Sequence, residues 1–158
     1  LMQMTLAQTY VDTGVGGGGG VSALFTEPGY GEAVVCYRGT AGGEWKDNFI
    51  GGGETDVLDG VSTLQQKNAL SWYQSLALED YATVTVTGHS KGGNKAKYVT
   101  ILEPSVDRCV AFDGQGFSDE FVKKYQRQIA GNQHKVRNCN VEGDYVNLLL
   151  DDVGTCEI

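Results

Sequence analysis

Excess positive charge, long apolar runs, paired cysteine motifs and histidine are all scarce or missing in this chain. Each shortage removes a class of function. Twelve Lys and Arg stand against twenty Asp and Glu, a net charge of −8. Nucleic-acid phosphates and anionic membrane surfaces both need clustered cations, so no nucleic-acid partner is expected. No apolar run approaches the roughly 20 residues that span a bilayer, so no stable membrane insertion is expected. The opening residues, Leu1-Met2-Gln3-Met4, lack the basic stretch and apolar core of a secretion signal. They do not begin with a plain initiator Met either, so the chain reads as an excised segment. Cys36, Cys109, Cys139 and Cys156 form no C-x-x-C pair, and there are only two histidines. No metal site is therefore expected, and nothing calls for a cofactor. Three of the cysteines lie in apolar runs. Read as buried, unpaired thiols, they favour a reducing compartment and a cytoplasmic location.

What is present fits one globular domain. The 158 residues are 41% hydrophobic and 20% charged, which can bury a real core. Residues 1–31 are poorly patterned and contain the glycine run Gly16 to Gly20, read as a loop. From Glu32 the pattern sharpens. Glu32 to Tyr37 is a continuous apolar run, as expected of a strand covered on both faces. Ser62 to about Tyr81 reads as a helix, with Ser62 and Gln65 as a capping box. Thr83 to Thr87 reads as a strand because it is β-branched throughout. A helix can run from Gly93 to Leu102, where Pro104 stops it. Arg108 to Phe112 is a further strand. Asp119 to Ala130 is a helix capped by Ser118 and closed by Gly131. Val136 to Cys139 is a strand, and Val146 to Leu150 is a last apolar run. Strands alternating with helices imply a mostly parallel sheet with helices on both faces, the core lying at about residues 32–150.

Gly88-His89-Ser90-Lys91-Gly92 carries the chemistry. It fits G-x-S-x-G between a strand and a helix. A serine on so tight a turn takes a strained backbone conformation, and the residues two places either side must lack side chains. The hydroxyl then projects over the sheet at a helix N-terminus, where developing negative charge is favoured. The N–H of Lys91 would point into an oxyanion site. The Lys91 ammonium sits poorly beside the positive helix end and is expected as a solvated surface group.

Together with Tyr37-Arg38-Gly39-Thr40, Trp45 and Asp47, and with Asp113-Gly114-Gln115-Gly116-Phe117 after the next strand, this motif resembles the class 3 lipase family. The G-H-S-K-G-G form is most similar to bacterial lipase-like relatives. The resemblance implies an α/β-hydrolase fold, incomplete at the C-terminus, and a serine hydrolase acting on a small-molecule or lipid ester. Ser90 would be the nucleophile, and Thr40 and Lys91 would give the oxyanion N–H groups. Arg38 and Asp47 would form a buried structural ion pair. Asp144, in Asp144-Tyr145-Val146, would be the catalytic acid, with Asp113 the second choice. Asp151 and Asp152 look like surface charges.

The pattern breaks at the general base. His89 adjoins Ser90, so its ring should point away from the hydroxyl, leaving it a packed, hydrogen-bonded support. His134 precedes a strand at the edge opposite the site. The resemblance puts the base after the last strand, beyond the acid, so the catalytic histidine is expected to be absent from this chain. Two readings remain: a hydrolase whose base lies elsewhere, or a degenerate hydrolase fold that binds without cleaving. A nucleotide-binding domain is a weaker third, because Arg38 to Gly43 does not supply G-x-G-x-x-G after the first strand.

Overall fold

The computed structural model describes residues 3–12, 20–39, 61–141 and 151–157. Its described strands form one seven-stranded sheet whose spatial order follows the chain. They are β1 (Thr5–Val11), β2 (Val21–Thr26), β3 (Glu32–Tyr37), β4 (Thr83–His89), β5 (Arg108–Phe112), β6 (Val136–Cys139) and β7 (Thr155–Glu157). β1, β2 and β3 run antiparallel to one another, and β3 to β7 are parallel. The helices are α1 (Leu64–Gln74), α2 (Lys91–Leu102), α3 (Asp119–Lys124) and α4 (Gln126–Asn132).

One face of the sheet makes the core. Ala33, Val35, Tyr37, Val84, Val86, Cys109, Ala111 and Val136 pack there against Ala69, Trp72 and Tyr73 of α1 and Ala96 and Val99 of α2. α1 and α2 lie over this face, as right-handed crossovers between successive parallel neighbours require. The opposite face carries the half-exposed Val34, Cys36, Thr87 and Val110 and the exposed Phe112. A second cluster, Tyr98, Ile101, Phe117, Phe121, Ile129 and Val153, covers the outer side of α2. That helix is thus enclosed on both sides, and every residue from Lys91 to Ile101 is buried.

Several expectations change. Within the poorly patterned segment 1–31, the described residues form β1 and β2, which pair in an antiparallel ladder with one irregularity between Leu6 and Gln8. β1 is an edge strand exposed on both faces, so it has no apolar alternation to read. The α1 cap is Thr63 rather than Ser62. Its hydroxyl accepts from Gln66 N–H at 3.1 Å, and Gln66 Oε1 accepts from Thr63 N–H at 2.8 Å. Asp119 to Ala130 is two helices broken at Tyr125, and Gly131 lies inside the second rather than capping it. Ser118 does cap the first, accepting from Phe121 N–H at 3.3 Å. The run Val146 to Leu150 lies outside the described residues. All four cysteines are free, and only Cys109 is fully buried. No described helix is long and apolar enough to cross a membrane.

Candidate active site

Ser90 sits where β4 ends and α2 begins, with φ 56° and ψ −123°. This left-handed conformation costs an L-residue free energy and needs surrounding structure to hold it. The holding groups are backbone. Ser90 N–H donates to Phe112 C=O at 2.9 Å, and Ser90 C=O accepts the first α2 bond from Asn94 N–H at 3.1 Å. The chain crosses itself closely here. A Cβ on Gly88 would come within 2.8 Å of Tyr37 O, and one on Gly92 within 2.9 Å of Tyr37 C and Arg38 C. Real Cβ atoms do not approach backbone so closely, so glycine is required at both positions. The G-x-S-x-G spacing is therefore a packing requirement of this turn.

The end of β3 lies against the same turn. A Cβ on Gly39 would stand 2.8 Å from His89 O and 3.6 Å from Ser90 Cβ. This brings the residue preceding Thr40 beside the serine. Thr40, Asp47 and Asp144 themselves lie outside the described residues. Arg38 is exposed, not buried. It follows the inward-facing Tyr37, and strand alternation turns it to the other side.

Lys91 was expected at the surface but is only 4% exposed, because α2 is covered on both sides. His89 differs in the other direction. Its side chain is 68% exposed rather than packed, with Nε2 3.8 Å from Asp113 Oδ2. His134 lies in the 3-10 turn Gln133–Lys135 that leads into β6, at the N-terminal edge of the parallel strands and away from Ser90.

Asp113 is the described acidic residue nearest the expected role. It follows β5 at the same edge as Ser90, with φ 46°, and it is buried. Its N–H continues the β5–β6 ladder to Cys139 C=O at 3.0 Å. Its Oδ1 accepts from Val141 N–H at 2.7 Å, so one carboxylate oxygen holds the chain leaving β6.

Sequence reasoning missed the polar groups beneath this edge. Asn94 Oδ1 accepts from Gln66 Nε2 at 2.7 Å, and Asn94 Nδ2 donates to Gly116 C=O at 2.8 Å. One side chain therefore joins α1, α2 and the loop after β5. Lys97 is fully buried, and its Nζ donates to Asp152 Oδ1 at 2.6 Å and to Gly114 C=O at 3.0 Å. Burial lowers the Lys97 pKa, and the Asp152 charge and hydrogen bond oppose that shift. Asp152 is thus bound, not merely a surface charge. A lysine in a helix flanked by apolar strands on both sides of its sequence is the signal that could have revealed the pair.

Comparison with solved structures supports the same architecture. The chain is similar to the crystal structure of Lip2 lipase from Yarrowia lipolytica, with TM-score 0.59 and 17% identity, covering 91% of this chain and 60% of that one. It is also similar to a fungal lipase in complex with an inhibitor, with TM-score 0.56 and 15% identity, covering 90% of this chain and 59% of that one. The chain thus spans about three-fifths of the length of these lipases. At such identities the likeness concerns the fold, which is of the α/β-hydrolase type. No curated protein matches the sequence. The Mbeg1-like family model matches residues 21–157, which takes in the Ser90 turn, the Asp113 loop and nearly all of the sheet, and the chain therefore belongs to the Mbeg1-like family.

Proposed function

We propose that this chain is the nucleophile-bearing core of a serine hydrolase that cleaves carboxylic esters through an acyl-serine intermediate. The observation that carries the reading is Ser90 itself, a strained serine at φ 56° between a parallel strand and an enclosed helix. Strain of this kind collects where a side chain must be presented for reaction. Ser90 Oγ attacks the ester carbonyl, and its proton passes to a base. The backbone N–H groups of Lys91 and Thr40 bind the oxyanion. The alcohol leaves, and water then attacks the acyl-serine to release the acid and restore the hydroxyl. Asp144 orients the base, with Asp113 as the second choice. Asp113 is buried beside the Ser90 turn, but its Oδ1 is already engaged by Val141 N–H. The lipases of similar fold point to a lipid ester among possible substrates.

Neither histidine of this chain suits the role of base: one leads into the wrong end of β6, and the other extends into solvent beside Asp113. In this reading the base is supplied by a residue other than these two histidines. The same observation favours a second reading, a hydrolase fold that binds an ester-like ligand without turnover. A fluorophosphonate probe applied to the full-length protein separates them. Labelling at Ser90, abolished by Ser90→Ala, is expected. Absence of labelling would refute the hydrolase and leave the binding module.

A further inference from the structure

Lys97 is the least expected charge in the molecule. Its side chain is fully buried inside the helix that begins at Ser90, and its partner Asp152 keeps 31% of its side-chain surface in solvent. An ion pair so placed gains little net stability, because desolvating the ammonium offsets much of the attraction to the carboxylate. An apolar pair of similar volume generally serves as well. What the pair supplies instead is a fixed geometry.

The contacts around it show what is fixed. Among the described residues, both ends of the loop Asp113 to Phe117 are hydrogen-bonded to the later chain. Asp113 Oδ1 accepts from Val141 N–H at 2.7 Å, where the chain leaves β6. Phe117 and Asp151 exchange both backbone hydrogen bonds, at 2.8 and 3.0 Å, where the chain returns. The Lys97 ammonium binds both partners of this second junction, through Gly114 C=O on the loop and Asp152 on the returning segment. One cation on the helix that starts at Ser90 thus fastens together the loop after β5, which begins at the Ser90 edge of the sheet, and the segment that leads into β7.

We propose that Lys97 and Asp152 are positioning residues of the hydrolase site, and that their buried ion pair sets the place of the Asp151–Val153 segment and the Asp113–Phe117 loop relative to the helix carrying Ser90. The inference rests on the hydrolase reading above. In sequence the candidate acid Asp144 falls between the two fastened points, Val141 and Asp151.

The test compares full-length wild type with Lys97→Met and with the double variant Lys97→Met/Asp152→Leu, which replaces the pair by apolar groups. Thermal melting reports folding. Fluorophosphonate inactivation is resolved into a binding constant and a rate of phosphonylation, and amide exchange is followed at Phe117, Asp151 and Val153. In the double variant the melting point is expected to hold while phosphonylation slows by about tenfold to a hundredfold with binding unchanged, as misplaced catalytic groups produce. Exchange at the three amides is expected to rise about tenfold while Val35 and Val86 in the central strands stay protected. Wild-type phosphonylation rates in a folded double variant, or unchanged exchange at those amides, would overturn the positioning role. If wild type itself resists the probe, the hydrolase reading falls first and the catalytic role of the pair falls with it. The exchange arm then still decides whether the fastening exists.

Discussion

Replacing Ser90 by glycine should make the protein more stable while removing the hydroxyl proposed as the nucleophile. At φ 56° and ψ −123° the serine Cβ is held in a region that glycine occupies freely. Strain of this type costs on the order of 1–3 kcal/mol. Glycine gives back roughly 0.5–1 kcal/mol through the greater freedom of its unfolded chain. The serine side chain makes no capping hydrogen bond whose loss must be counted. The net gain is therefore about 1 kcal/mol, equivalent to a rise in melting temperature of roughly 2–4 °C for a domain of this size. Ser90→Ala is the control. It removes the hydroxyl but keeps Cβ, so it should stay within about 0.5 kcal/mol of wild type. Differential scanning calorimetry on the three proteins measures both effects. If Ser90→Gly melts at or below Ser90→Ala, the turn is not strained and the main support for a presented nucleophile is lost.

Other substitutions follow from the same geometry. Gly92→Ala should cost about 1–3 kcal/mol in urea unfolding, because its Cβ would press on the Tyr37 and Arg38 backbone, which cannot swing aside. Gly131→Ala is the contrasting case. It adds a methyl to the interior of α4 where nothing lies within 4 Å, and it should stabilise by about 0.5–1 kcal/mol. Burial pushes the Cys109 thiol from 9.0 up to about 12. The folded state therefore holds this proton more tightly than the unfolded chain, so the contribution is present below pH 9 and lost as pH rises from 9 toward about 12. Burial also raises Tyr37 well above its ordinary value, in the same direction. Urea titrations along this range should show the decline, with a shallower slope for Cys109→Ala. An unchanged slope in that variant would exclude Cys109 as the cause.

The parts of the fold legible in the sequence were those whose local pattern and tertiary setting agree. Val84, Val86, Cys109 and Val136 lie in continuous β-branched or apolar runs, and they form the sheet interior. The Ser90 turn was legible because glycine at two fixed positions is a steric necessity. The edge strands were not. β1 is exposed on both faces and β7 has only three residues, so neither bears a periodic signature. The α1 start was ambiguous because Ser62/Gln65 and Thr63/Gln66 both have capping-box spacing. The structure uses Gln66, whose side chain also reaches Asn94. The break at Tyr125 has no proline or glycine to announce it. It accompanies a cluster of rings in which Phe117 and Phe121 stack at 4.2 Å and Tyr125 tilts against Phe121 at 4.8 Å. The buried lysines were hidden for a related reason. Three lysines within seven residues describe a wet helix, and only the second layer of side chains over α2 shows otherwise.

Around Ser90 the closest approaches are made by main-chain atoms to positions that carry no side chain at all. Carbonyls and α-carbons are common to every residue type. Side chains elsewhere in the core can therefore be exchanged, with gains or losses in overall stability, without shifting the serine's seat. The seat of Ser90 itself, as distinct from the loops around it, depends little on side-chain identity, while a single methyl group at Gly88 or Gly92 is enough to displace it.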